Sequence, residues 1–108
     1  MKYLKYFENI IEPKLNDYVS CEEDHRESNI NLKNYIANNI GKIFRYNTKT
    51  LQYLIEFDYV PDNLKGRFTK RGGKYLRWLA IDNIKEFDDS IEKLKLKIQR
   101  NKYNIWNT

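Results

Sequence analysis

Apolar side chains near the start of the chain recur at spacings of three and four residues. Between Tyr3 and Tyr18 this spacing predicts an amphipathic helix with one buried face. Pro13 lies inside the pattern and cannot donate a backbone hydrogen bond. We therefore expect a break near Glu12, where the helix either kinks or gives way to a second helix with Pro13 in its first turn.

An acidic segment without apolar periodicity, Ser20 to Glu27, is predicted to be a loop. A further helix follows it, because Ser28 or Asn29 can accept hydrogen bonds from the free N–H groups of a first turn. Gly41 stands where a left-handed residue would end this helix. Its predicted buried side consists of Leu32, Tyr35, Ile36 and Ile40. Residues 1–40 are thus expected to be the helical part of the chain.

From residue 41 the apolar positions alternate, which is typical of strands. Four strands are predicted, at Lys42–Tyr46, Thr50–Val60, Arg67–Thr69 and Tyr75–Ile81. In the second strand the odd-numbered side chains from Leu51 to Tyr59 form one face, as expected for an antiparallel strand on a core. Residues 41–81 should therefore form an antiparallel meander, which can curl into a small SH3-like barrel.

The turn between the last two strands is predicted at Gly72-Gly73, because glycine adopts positive φ without a Cβ clash. On the outgoing arm one alternating set of side chains must face the core. Because Arg77 is charged, the set that contains it should face the solvent. We therefore expect the other set, Leu76, Trp78 and Ala80, to face the core.

A last helix is predicted over residues 88–101, since Asp89 and Glu92 have the spacing of a capping box. The tail beyond it holds Tyr103, Ile105 and Trp106, which would be costly to leave in water. We expect this tail to dock on the domain or on a partner subunit, so that a homodimer is one possibility.

These elements predict an α+β fold with N-terminal helices, a four-stranded antiparallel meander and a C-terminal helix. The length of 108 residues suits one domain over residues 1–108, and 15% aromatic residues can fill a small core.

Cys21 is the only cysteine, and neither a secretory signal nor a run of about 20 apolar residues is present. A soluble protein of the cytoplasm is expected. The frequent use of Asn, Ile, Lys and Tyr suits a low-GC bacterium or one of its viruses.

Charge is distributed unevenly along the chain. Residues 1–30 hold four basic and seven acidic side chains, whereas residues 61–81 hold six basic side chains and only Asp62 as an acid. Such clustering is typical of a surface that meets phosphates or carboxylates, although a solvated basic face would look the same. The candidate partner-binding residues are Lys65, Arg67, Phe68, Lys70, Arg71, Lys74, Tyr75 and Arg77.

Catalytic and metal-binding signals are weak. Cys21 and His25 are four residues apart, but a zinc site needs about four ligands and no second Cys or His is present. The neighbouring Glu22, Glu23 and Asp24 disfavour a thiolate. Phosphate-loop, dinucleotide and common metal motifs are also missing. We therefore expect a protein without enzymatic activity, cofactor or metal.

Two functions fit the basic hairpin. It can bind DNA or RNA directly, since basic side chains interleaved with rings contact phosphates and stack on unpaired bases. Alternatively it can bind a protein, because Tyr, Trp and Arg are enriched in interface hot spots.

In its short length, low-GC residue usage, lack of enzyme motifs and single charged hairpin, the chain resembles small phage accessory proteins of the anti-CRISPR and anti-defence type. This resemblance concerns the overall profile and rests on no motif. It implies an inhibitor or adaptor that blocks nucleic-acid access or an assembly surface of a host nucleoprotein complex. We prefer this role, in a bacterial host cell, to direct nucleic-acid binding.

Overall fold

A six-stranded antiparallel sheet dominates the computed structural model, which describes the backbone of residues 12–107 and the side chains of residues 12–101. The strands are β1 (Tyr18–Cys21), β2 (Gly41–Asn47), β3 (Gln52–Phe57), β4 (Thr69–Arg71), β5 (Lys74–Ala80) and β6 (Ile84–Asp88). Within residues 12–107 they are joined by two α-helices, α1 (Ile30–Asn38) and α2 (Ile91–Asn107), and by two short 3₁₀ turns, Asp62–Arg67 and Ile81–Asn83. The strand order in the sheet is β4-β5-β3-β2-β1-β6.

The predicted fold class was wrong in the number of strands and in the N-terminal helices. The sheet has six strands rather than four, and it is open, with β4 at one edge and β6 at the other. It is therefore not an SH3-like barrel. The two strands that were not predicted, β1 and β6, have only four and five residues and pair with each other. Such short strands give little alternation to detect, and their stability comes from neighbouring strands.

The segment around Pro13 is not helical. Residues 12–17 contain a turn in which Asn16 has a φ of 74°, and the backbone N–H of Asn16 donates to the carbonyl of Ile43 at 2.9 Å. Tyr18 and Ser20, predicted to end a helix and to start a loop, both belong to β1. The earlier part of the predicted helix, residues 3–11, lies outside the described residues.

The core forms between α1 and one face of the sheet, which we call the inner face. Leu32 and Ile36 of α1 are fully buried and belong to the same apolar cluster as Ile55 and Phe57 of β3. The predicted alternation of β3 is thus confirmed for Tyr53, Ile55 and Phe57, all three of which are buried in this cluster. The cluster also contains Val19, Cys21, Ile43, Val60, Leu64 and Leu79.

One end of α1 is as predicted and the other is not. The Asn29 side chain caps the helix by accepting a hydrogen bond from the N–H of Leu32 at 3.1 Å. Gly41, however, is the first residue of β2 and does not terminate the helix in a left-handed conformation. A Cβ at Gly41 would collide with Ile55 and approach Cε1 of Phe57 to 3.1 Å. Glycine is required here by close packing.

The register of β5 reverses the predicted faces of that strand. Tyr53, Ile55 and Phe57 pair with Leu79, Arg77 and Tyr75, respectively. Directly opposed residues in a sheet share a face, so these β5 residues lie on the inner face. Leu76, Trp78 and Ala80 lie on the opposite face, which we call the outer face, and the Trp78 residue is 42% exposed. The prediction was therefore wrong in placing this set on the face that carries the apolar cluster, although Leu76 itself is buried.

Helix α2 packs against β6 and β1. Its first turn is capped by Ser90, not Asp89: the Ser90 hydroxyl accepts from the N–H of Lys93 at 3.4 Å and bonds to Glu92 at 3.0 Å. Lys97 fixes the helix to β6 by donating to the carbonyl of Phe87 at 2.8 Å. The helical backbone continues to Asn107, beyond the predicted end at 101. The predicted docking of Tyr103, Ile105 and Trp106 concerns side chains outside the described set.

Candidate binding surface

The tip of the hairpin between β4 and β5 has the geometry that its glycines predict. Gly72 and Gly73 have φ angles of 57° and 81°, and the flanking residues Arg71 and Lys74 pair across the two strands. Positive φ at both central residues is the requirement of a tight two-residue turn whose twist matches the strands. The predicted Gly-Gly turn is confirmed, and it places Lys70 and Arg71 directly beside the tip.

Two of the six basic side chains of the hairpin region are tied to the acidic segment that precedes α1. Arg77 donates from Nε to Glu23 Oε2 at 2.6 Å and from Nη1 to the carbonyl of Arg67 at 2.7 Å. The side chain of Arg67 pairs with Glu27, and the guanidinium of Arg77 lies 3.9 Å from the same carboxylate. We call these four residues the Glu-Arg cluster.

Three of the four side chains of the Glu-Arg cluster are largely shielded from water, whereas that of Arg67 is 41% exposed. Exposure is 18% for the Arg77 side chain and 5% for that of Glu23. The pKa of Glu27 lies below its usual value, mainly because its carboxylate accepts a hydrogen bond from the N–H of Asn29, and the charges of Arg67 and Arg77 act in the same direction. Arg67 and Arg77, both predicted to bind a partner, are therefore engaged within the fold.

The two aromatic residues predicted for the site also belong to the scaffold. The ring of Phe68 makes edge contacts with Tyr35 and Phe57, at centroid separations of 5.9 and 5.8 Å. Tyr75 packs against the apolar cluster from the inner face of β5. Both side chains hold the base of the hairpin on the core, so they position the tip and leave little ring surface for a partner.

Lys65 and Lys74 form ion pairs at the surface. Lys65 lies 2.7 Å from Asp62, and Lys74 pairs with Asp58. These hydrogen-bonded pairs raise the pKa of both lysines. Both lysine side chains keep more than two fifths of their surface exposed, and such exposed pairs contribute only about 0–1 kcal/mol. A partner can therefore exchange them at small cost.

Lys70 and Arg71 differ from the other four cations. Both are exposed, and neither is within ion-pair distance of a carboxylate in the part of the chain that the structure describes. The guanidinium of Arg71 lies over the ring of Phe44, at 5.7 Å from its centroid. Of the eight predicted site residues, these two are thus exposed cations without a counter-charge from the described side chains.

Three further residues of the outer face complete this surface and were not among the predicted residues. Ile43 pairs with Ile55 and Arg45 pairs with Leu54, so Phe44 is the extra residue of a β-bulge in β2. Because Leu54 also pairs with Trp78, Arg45 and Trp78 flank it on the outer face. No local sequence signal marks the bulge. The buried face of β5 could have been inferred from Tyr75 and Leu79, which are apolar and belong to the same alternating set as Arg77.

The residues considered for catalysis lie apart from this surface. Cys21 is fully buried on the inner face of β1, and burial, with the nearby Glu23 and Glu22, raises the pKa of its thiol to about 12. The His25 side chain is 92% exposed and so does not form a dyad with Cys21. Among the described residues, no group of three His, Cys, Asp or Glu side chains is arranged to hold a metal ion.

A cleft of about 420 Å³ lies between the end of α1 and α2. Its described lining consists mainly of amide and apolar side chains, and the carboxylate of Glu86 in this lining is engaged by the amide of Asn101. Among the helices of residues 12–107, none is both long and apolar enough to cross a membrane.

Comparison of the chain with protein-family models, curated proteins and solved structures finds no match.

Proposed function

We propose that this protein is a small non-enzymatic binding protein, of the inhibitor or adaptor type, which docks the tip of its β4–β5 hairpin on an anionic surface of a nucleoprotein complex. Such a partner would place it in the cytoplasm of a bacterial host cell. The proposal rests on one observation above all: Lys70 and Arg71 project at a tight turn without carboxylate partners among the described residues, whereas the four other cations of the hairpin region have them.

Lys70 and Arg71 favour binding for two physical reasons, which are the absence of a counter-charge among the described residues and the fixed backbone that carries them. A cation that already has an internal counter-ion gains little from a second one, whereas an uncompensated cation gains the full interaction with a partner's phosphate or carboxylate. The Gly-Gly turn and the packing of Phe68 and Tyr75 fix the hairpin on the core, so little backbone entropy is lost on binding. The exposed cations also steer association with an anionic partner, which makes binding dependent on salt.

The test compares two charge-reversed double variants in a pull-down from bacterial lysate, with and without nuclease treatment. Lys70→Glu with Arg71→Glu is expected to abolish retention of nucleoprotein while leaving the melting temperature nearly unchanged. Lys49→Glu with Lys95→Glu changes the net charge equally at two exposed positions that have no described ion pair, and it should retain the partner. An equal loss of nucleoprotein retention in both variants would mean that binding depends only on the net charge of the protein. Unimpaired binding by the hairpin variant would refute the proposal.

A further inference from the structure

The outer face of the sheet brings an exposed indole and an exposed guanidinium into one row. Trp78 of β5, Leu54 of β3 and Arg45 of β2 are consecutive partners across three strands. Neighbouring strands are about 4.8 Å apart, so the backbones of Trp78 and Arg45 are roughly 10 Å apart. Trp78 is 42% exposed, whereas Leu54 between the two keeps only 8% of its surface. An indole beside a cation at this separation can hold a flat aromatic group and the negative charge next to it.

The bulge in β2 connects this row to the hairpin tip. Two guanidiniums lie over the ring of Phe44, that of Arg45 at 5.2 Å and that of Arg71 at 5.7 Å from its centroid. A guanidinium placed over a ring loses less side-chain freedom when it binds a phosphate, because its position is already restricted. Arg45 and Arg71 therefore form a preorganised pair of anion-binding groups, of which Arg45 shares the cross-strand row of Trp78.

The carboxylates near this surface are already faced by cations. Glu56 is on the outer face directly opposite Lys42, and Asp58 is paired with Lys74. Arg45 and Arg71 have no carboxylate within ion-pair distance over residues 12–101. The charge of the surface therefore suits a polyanion.

We propose that the outer face binds single-stranded nucleic acid, with one unpaired base stacked on Trp78 and the adjoining phosphates held by Arg45 and Arg71. The inference rests on the proposed function, since Arg71 belongs to the hairpin tip, and it names the nucleic-acid strand as the component that is recognised. A single strand fits better than a duplex, because only unpaired bases offer a free face to an indole. An acidic protein surface would use the cations but would leave the indole without a stacking partner.

The test follows the fluorescence of Trp78 in a Trp106→Phe background, in which it is the one remaining tryptophan. Oligothymidylate, oligouridylate and a DNA duplex of equal length are titrated at several salt concentrations. We expect the single strands to quench Trp78 and to bind at least about tenfold more tightly than the duplex. In a matched fluorescein-labelled assay, Trp78→Ala should weaken binding about tenfold without changing the salt slope, and Trp78→Phe should retain most of the affinity. Arg45→Ala should reduce the salt slope by about one.

Tyr59→Ala is the matched control, because Tyr59 is an exposed aromatic residue outside the proposed row. It should leave the affinity unchanged. Equal affinity for single strands and duplex, lost in the Lys70 and Arg71 variant but not in Trp78→Ala, would overturn this inference and leave the proposed function standing. Absence of nucleic-acid binding at low salt, or shielding of Trp78 from acrylamide in the protein alone, would also overturn it. Binding that survives charge reversal at Lys70 and Arg71 but is lost in Trp78→Ala would refute both the proposed function of the tip and the assignment of a phosphate to Arg71, and would leave Trp78 as the binding residue.

Discussion

Arg77 of β5 and Glu23 of the segment before α1 are 54 positions apart in the chain, and Arg77 Nε donates to Glu23 Oε2 at 2.6 Å. This pair allows an arginine to occupy the inner face of the sheet, where it lies opposite the fully buried Ile55. Its carboxylate partner is nearly buried as well, so neither group retains its full hydration. The pair compensates the charge of Arg77 on the inner face, while the next residue, Trp78, lies on the outer face.

Removal of the cation from this pair is expected to destabilise the protein. Arg77→Ala would leave the carboxylate of Glu23 buried without its partner, and we expect the free energy of unfolding to fall by about 3 kcal/mol. Urea denaturation measures this loss. Lys70→Ala is the control, expected within about 0.5 kcal/mol of the wild type, because Lys70 is an exposed residue without a described ion pair. A loss below about 1 kcal/mol for Arg77→Ala would contradict a structural role for the pair.

The turn between β2 and β3 contains a residue whose replacement should stabilise the fold. Leu51 has a φ of 56° and is 53% exposed, so it bears the steric cost of the left-handed region while burying little apolar surface. Leu51→Gly relieves this strain but increases the entropy of the unfolded chain, and we expect a net gain of about 0.5 kcal/mol. Leu51→Ala keeps a Cβ and should give no gain. Thermal denaturation of the wild type and both variants measures these differences. Equal stability of Leu51→Gly and Leu51→Ala would argue against strain at this turn.

The thiol of Cys21 is expected to be unreactive in the folded protein. Its side chain is fully buried, and its pKa of about 12 leaves almost no thiolate at neutral or mildly alkaline pH. Reaction with Ellman's reagent at about pH 8 should therefore be limited by opening of the fold. The same protein in guanidinium chloride, where the thiol is accessible, should react within seconds to minutes. Rapid stoichiometric reaction of the native protein would place Cys21 at the surface.

Acid should weaken the attachment of α2 to β6. Lys97, 3.1 Å from the carboxylate of Asp88, is the largest influence that lowers the pKa of this group from 3.8 to about 2. A lowered pKa contributes stability above the ordinary value, and this contribution is lost as pH falls from about 4 towards 2. Asp88→Asn should therefore lose less stability than the wild type over this interval, as measured by urea denaturation at both ends of it. Asp82→Asn, at an exposed position without a described ion pair, should follow the wild type.

Local features of the chain were predicted well. The Gly72-Gly73 turn and the Asn29 cap depend on backbone conformation and short-range hydrogen bonds, which neighbouring residues determine. The alternation of Tyr53, Ile55 and Phe57 likewise reports a strand with one face on a core. The contacts of the candidate site residues were harder to predict. The basic cluster contains the two cations without a carboxylate partner among residues 12–101, but it also contains Arg67 and Arg77, whose carboxylate partners lie far away in the sequence.

The sequence by itself thus determined where the hairpin turns, where α1 begins and that an antiparallel sheet follows it. Tertiary structure decided the rest. Strands β1 and β6 have too few residues to be stable alone and exist because they pair with each other, with β1 also paired to β2. The buried face of β5 was likewise not encoded locally, since alternation offers two faces and the charge of Arg77 appeared to exclude one. A carboxylate brought from 54 positions away compensates that charge, so the face that carries the arginine is the one that is buried.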